Sequence, residues 1–179
     1  LVIPPLPTEE LSINNALGRV LAQEIVAPSD QPEFDRSTMD GYAVWSADTF
    51  GAAESRPAML TVAGDIPMGV MPSRGIGKGE AMKIATGGAL PKGADAVVMF
   101  EQTQPVDDKS IEVVKAVAPE ENVSTVGEDM RKGEAVLAPG HVIRPQDMGA
   151  LASMGITRVP VFAKPRVAII STGNEIVPA

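Results

Sequence analysis

A chain interrupted by glycine and proline every few residues cannot sustain long helices, and from Tyr42 to Leu137 this chain is interrupted throughout. Short apolar or alternating runs occupy Tyr42 to Trp45, Met59 to Ala63, Glu80 to Ala85, Asp95 to Phe100, Ser110 to Ala116 and Glu134 to Leu137. Gly-Asp, Pro-Met-Gly, Gly-Lys-Gly and Pro-Lys-Gly punctuate them. Runs of this length, separated by turn residues, predict strands arranged as a small barrel or sandwich. The 16 prolines and 17 glycines among 179 residues agree with many short elements rather than a helical bundle.

Helical patterns are expected on both sides of this block. Leu17, Val20 and Leu21 have i, i+3, i+4 spacing, and Ser12 is a candidate N-cap upstream, which predicts a short helix within Thr8 to Glu24. Pro145 to Met154 followed by Gly155 has proline at the start and glycine after the end, with Met148, Leu151 and Met154 on the buried side. Arg166 to Ile170 is a continuous apolar run of the kind found in a strand buried on both faces, and it leads into Ser171-Thr172-Gly173-Asn174-Glu175. Ligands of open α/β sheets collect at such strand ends.

The expected fold is therefore α+β. It comprises a small discontinuous α/β domain (1–29 and 135–163), an inserted β-rich, barrel-like domain (30–134), and the first strand of a truncated α/β domain (164–179). One strand forms no parallel sheet, so the chain reads as the front part of a larger enzyme.

Composition excludes several classes of function. There is no cysteine, hence no disulfide scaffold, thiolate zinc site or cysteine nucleophile. A formal net charge of −8 with no basic stretch disfavours nucleic acid and anionic membrane as partners. The apolar runs are far shorter than the roughly 20 residues of a membrane helix, and no signal peptide is visible at the start; the expected location is the cytoplasm. Aromatic residues make up 3% and hydrophobic residues 44%, so the core is aliphatic.

The densest chemical cluster is Asp35-Arg36-Ser37-Thr38-Met39-Asp40-Gly41. Such a loop can hold an anion through Arg36 and hydroxyls, or a hydrated Mg²⁺ through carboxylates; Asp-Gly before a strand is also an ordinary hairpin turn. Thr86-Gly87-Gly88, between two strands, allows close approach of the backbone to a ligand or simply connects the strands. Gly127-Glu128-Asp129 is a third candidate, against the reading of solvated turn acids. Gly75-Ile76-Gly77-Lys78-Gly79 lacks the spacing of a dinucleotide loop and the ending of a P-loop. His141, the 1 histidine, has no second imidazole or thiolate for a transition-metal site.

Ala16-Leu17-Gly18-Arg19-Val20-Leu21-Ala22, Met39-Asp40-Gly41-Tyr42-Ala43, Thr86-Gly87 with Pro91 and Gly93-Ala94-Asp95-Ala96-Val97-Val98-Met99, Gly127-Glu128-Asp129, and Ser171 to Glu175 occur in that order. As an ordered set they resemble the MoeA-type molybdopterin molybdenumtransferases, whose relatives include the E domain of gephyrin. The resemblance implies insertion of molybdate into adenylylated molybdopterin (molybdopterin-AMP) with release of AMP, and use of Mg²⁺. It also implies a homodimer of four-domain subunits, a pterin-binding third domain, and a MogA-type molybdopterin adenylyltransferase as a further partner. By motif match it makes Asp40, Thr86, Asp129 and Glu175 catalytic candidates, and Ser37, Gly41, Gly87, Ser171, Thr172 and Gly173 candidates for binding the substrate; it assigns no metal ligand. By itself the chain is expected to be inactive, the alternative being a dimerising or scaffolding module. Two positions depart from the family pattern: Arg144 stands where Ser or Thr would cap a helix, and Asn174 where an acid is common.

Overall fold

The computed structural model describes residues 6–170. In chain order its strands are β1 (Thr8–Ser12), β2 (Ile25–Val26), β3 (Arg36–Ser37), β4 (Gly41–Val44), β5 (Ala58–Ile66) and β6 (Glu80–Ile84). Then come β7 (Ala96–Met99), β8 (Thr103–Asp107), β9 (Ser110–Val113), β10 (Val123–Ser124), β11 (Ala135–Leu137), the helix α1 (Pro145–Ser153) and β12 (Arg158–Phe162). The chain divides into two compact units, one formed by Leu1–Ala27 with Gly133–Ala179 and the other by Pro28–Lys132.

In the first unit β1 pairs antiparallel with β12, from Thr8 opposite Phe162 to Ser12 opposite Arg158. β2 pairs with β11 across an irregular register. Leu21, Ile143, Leu151, Val159 and Val161 are fully buried and form its aliphatic core. The helix from Pro145 is present, with Leu151 and Met154 buried and Met148 half-buried. Proline sits in its first turn, and Gly155 follows it at φ +72°. Arg144 precedes it without a capping side-chain oxygen, and Asp147 supplies the acceptor instead. The Asp147 carboxylate accepts the Arg144 amide at 2.8 Å and the guanidinium at 3.1 and 3.0 Å.

The helix expected around Leu17–Leu21 does not form. Thr8–Ser12 is a strand, and only a single 3₁₀ turn follows at Ile13–Asn15, with no capping bond from the Ser12 side chain. Leu17 is 56% exposed whereas Leu21 is fully buried, so the apolar spacing does not mark one face. Gly18 takes φ +72° and ends the turn. The backbone beyond it bonds across the fold: Gly18 donates to Ile143, Leu21 donates to His141, and Ile143 donates to Arg19.

The second unit is built on a mixed sheet in the order β7-β4-β6-β5-β9-β8, parallel only between β5 and β6. The sheet is curled, and because its outer strands β7 and β8 are not paired to each other it is a half-barrel rather than a closed one. Both faces are apolar. Val44, Leu60, Ala81, Ala96, Val98, Ile111 and Val113 pack on one, and Ala43, Ile66, Met82, Ile84 and Val97 on the other. Burial of an aliphatic side chain of this size stabilises by about 1.5–3 kcal/mol. The second small sheet of this unit pairs β3 with β10.

The strand expected at Arg166–Ile170 is absent. Val167, Ile169 and Ile170 are 77%, 91% and 83% exposed, and no strand among the described residues pairs with them. A buried-strand composition forms a strand only when neighbours supply hydrogen bonds and cover. Ser171 to Glu175 lie outside the described residues. Among the described residues no helix is long and apolar enough to cross a membrane.

Candidate functional site

The β4–β6 register, Gly41 opposite Ile84 and Tyr42 opposite Lys83, brings the residue before β4 alongside the loop after β6. Asp40 and Thr86 meet there, although 46 positions separate them. The Asp40 Oδ1 accepts the Thr86 amide at 2.7 Å and the Thr86 hydroxyl at 2.9 Å. These two donors, the amide first, hold the Asp40 carboxyl below the usual carboxylate range. Oδ2 has no hydrogen-bond partner among the described residues. The result is an exposed, ionised carboxylate, fixed through one oxygen and open at the other.

The remaining candidates fall into three groups. Gly87 donates its amide to Ser37 at 2.8 Å, and Ser37 donates to Gly88 at 2.9 Å, so the Asp40 loop and the Thr86 loop are joined along their backbones. The Ser37 side chain is buried and its hydroxyl bonds both the amide and the carbonyl of Met39, which shapes the turn into Asp40. Gly41 meets a steric demand: a Cβ there would lie 2.0 Å from the Val98 carbonyl oxygen. Gly87 has open space around it and φ +82°. Asp129 reaches this region through Arg36, the residue before Ser37, in an exposed pair at 3.4 Å; none of its bonds goes to Asp40 or Thr86. Ser171, Thr172, Gly173 and Glu175 lie outside the described residues.

Beside Asp40 opens a cleft of about 280 Å³. Asp65, Lys83, Phe100, Ile66 and Met68 line it together with Asp40. Phe100 packs edge-on against Tyr42, with ring centroids 5.2 Å apart. None of Asp65, Lys83 and Phe100 was singled out from the sequence. The available signal was Lys83, a charge inside the otherwise apolar stretch Ala81-Met82-Lys83-Ile84. His141 lies 2.6 Å from Asp147 and serves the helix start. Among the described residues no three histidines or acids gather as a metal cage.

The profile of the MoeA N-terminal region, domains I and II, matches residues 1–155. A Methanocaldococcus jannaschii protein, whose name assigns it provisionally to molybdopterin biosynthesis, is 47% identical over 170 residues, covering 94% of this chain and 40% of its own length. A molybdopterin molybdenumtransferase of Staphylococcus aureus is 39% identical, covering 96% of this chain and 41% of its own. A crystal structure of the molybdopterin biosynthesis MoeA protein of Pyrococcus horikoshii superposes with a TM-score of 0.88 at 44% identity, over 97% of this chain and 44% of that one. A second crystal structure of that protein gives 0.85, also at 44% identity, over 89% of this chain and 42% of that one. The chain thus spans about two fifths of the length of the curated relatives it matches, 40% and 41%. With a family profile covering residues 1–155 and a fold shared with solved members, the chain belongs to the MoeA family and corresponds to its N-terminal region.

Proposed function

We propose that this chain is the N-terminal region of a cytoplasmic molybdopterin molybdenumtransferase, which inserts molybdate into adenylylated molybdopterin and releases AMP. The observation that carries this reading is the Asp40–Thr86 pair: an ionised carboxylate fixed by two donors beside a cleft. The names of the similar proteins support the substrate class. In this reading the protein works as a homodimer and receives its substrate from a MogA-type adenylyltransferase. On the same reading, residues beyond about 164 open the pterin-binding domain, which turnover requires.

Mg²⁺ keeps several waters and takes one or two carboxylates together with substrate phosphates. The described residues offer no closed cage, but they fit that open demand, with Asp40 presenting Oδ2. The bound ion would neutralise charge on the phosphates as AMP departs. Thr86 keeps Asp40 ionised and orients it. Asp129, paired with Arg36, and Glu175 are proposed to complete the acidic set, and Gly87 to let substrate approach the backbone.

The test is an insertion assay on the full-length protein carrying this region, supplied with molybdate, Mg²⁺ and adenylylated molybdopterin. Asp40→Ala is expected to slow AMP release by about a hundredfold or more, the scale of losing one preorganised electrostatic group. AMP release at the unmodified rate would refute the role of Asp40.

A further inference from the structure

The cleft beside Asp40 carries an ammonium group that forms no ion pair among the described residues. Strand registers set Tyr42, Lys83 and Asp65 in one lateral row of β4, β6 and β5. A lysine beside an aspartate on a neighbouring strand commonly forms an ion pair. Here, among the described residues, Lys83 forms none. Its Nζ lies 5.6 Å from the centroid of the Phe100 ring, and Tyr42 buttresses that ring edge-on. An aromatic face attracts a cation without consuming its N–H donors. The exposed ammonium therefore rests near the ring with its donors uncommitted, in the same cleft as Asp40.

The surrounding charges decide what such a group can bind. Asp40 and Asp65 line the cleft with Lys83, so an oxyanion entering it meets two carboxylates and one ammonium. Without Lys83 the cleft would repel every anion. With it, one oxyanion can dock on the ammonium while a divalent cation offsets the acids. We propose that this corner is a phosphate subsite, in which Lys83 binds the oxygens of a phosphoryl group, esterified or free, and Phe100 props the ammonium in position. The subsite rests on the reading above in one respect: that reading supplies a substrate with a phosphate to place there.

The test uses the intact 179-residue chain and follows the Lys83 side chain and the Thr86 amide by NMR while adding AMP, inorganic phosphate or adenosine, each with and without Mg²⁺. Both phosphate-bearing probes should shift the two signals, and adenosine should not. AMP binding more tightly than phosphate identifies the ester as the source; equal binding identifies free phosphate, and either outcome supports the subsite. Lys83→Gln should weaken binding about tenfold and Lys83→Arg should restore it, the scale of one charge-assisted hydrogen bond. Asp65→Asn should tighten it, since it removes a repelling charge. Circular dichroism melts of each variant establish that folding is unchanged. Unaltered binding in Lys83→Gln, or no shift at Lys83 with any probe up to about 10 mM, would overturn the proposal. Phosphate binding here, combined with undiminished AMP release by full-length Asp40→Ala, would sink the molybdenumtransferase reading and leave the subsite standing. The reverse combination would sink the subsite alone.

Discussion

Gly41→Ala isolates the steric argument on which the position of Asp40 depends. A Cβ on Gly41 would lie 2.0 Å from the Val98 carbonyl oxygen, 2.8 Å from its carbon and 3.0 Å from the Met99 Cα. Carbon–oxygen contacts relax near roughly 3.3 Å, so β7 would have to withdraw from β4 by about 1.3 Å. That opens the pairing of Gly41 with Met99 and the bond from the Phe100 amide to the Asp40 carbonyl, now 3.2 Å. Overpacking of about 1–3 kcal/mol and roughly 1 kcal/mol for a lost hydrogen bond give a destabilisation of about 2–4 kcal/mol. For a chain of this size the melting temperature falls by roughly 5–15 °C. Gly87→Ala is the internal control: its Cβ meets nothing within 4 Å and only φ +82° is unfavourable, which costs about 1–2 kcal/mol. Thermal and urea unfolding followed by circular dichroism measure both. A Gly41→Ala protein within about 0.5 kcal/mol of the parent, the scatter of ordinary surface substitutions, would refute the argument, as would Gly87→Ala proving the more damaging of the two.

Thr86→Val removes the hydroxyl donor to Asp40 and keeps the amide, so the Asp40 midpoint in an NMR titration should rise part of the way to the ordinary carboxylate value. The sign for stability follows from the lowered folded pKa. The contribution of Asp40 is present above the unfolded pKa and fades as pH falls through the folded one, and the variant should narrow that window; an unmoved midpoint would contradict it. Asp147→Asn leaves the Arg144 guanidinium and the start of α1 poorly matched and should cost about 1–3 kcal/mol in urea unfolding. The Asp147 carboxyl is held far below its ordinary value, first by the Arg144 side chain, so its contribution also appears above the unfolded carboxylate pKa and is lost on acidification. A variant as stable as the parent at neutral pH would show that Asp147 does not secure the helix.

In the second unit β4, β5, β6, β7 and β9 were readable because glycine and proline punctuate the chain around them, whereas β3, β8 and β10 were not anticipated. The helix α1 was readable because proline opens it and glycine follows it. The misread segments share a cause: apolar spacing records which residues avoid water, not which partner covers them. Leu17 and Leu21 fit a helical face, yet one is exposed and the other buried between strands. Val167 and Ile169 look like a buried strand and are exposed. Asp40 and Thr86 were separately visible as motif residues, but their contact depends on the β4–β6 register, which local pattern does not encode. Lys83 escaped notice because a single charge in a strand ordinarily marks a solvated position. Its meaning comes from Phe100, which follows β7, on the far side of β4 from β6, and whose ring centroid lies 5.6 Å from the ammonium.

The charge of Asp40, held by Thr86, is proposed to serve molybdenum insertion. Asp40→Asn tests it most directly, because an amide oxygen can still accept both Thr86 donors while the charge is gone. In the full-length protein we expect a small loss of stability at neutral pH, from the lost carboxylate, and AMP release slowed by about a hundredfold. An Asp40→Asn protein that releases AMP at the parent rate would contradict it.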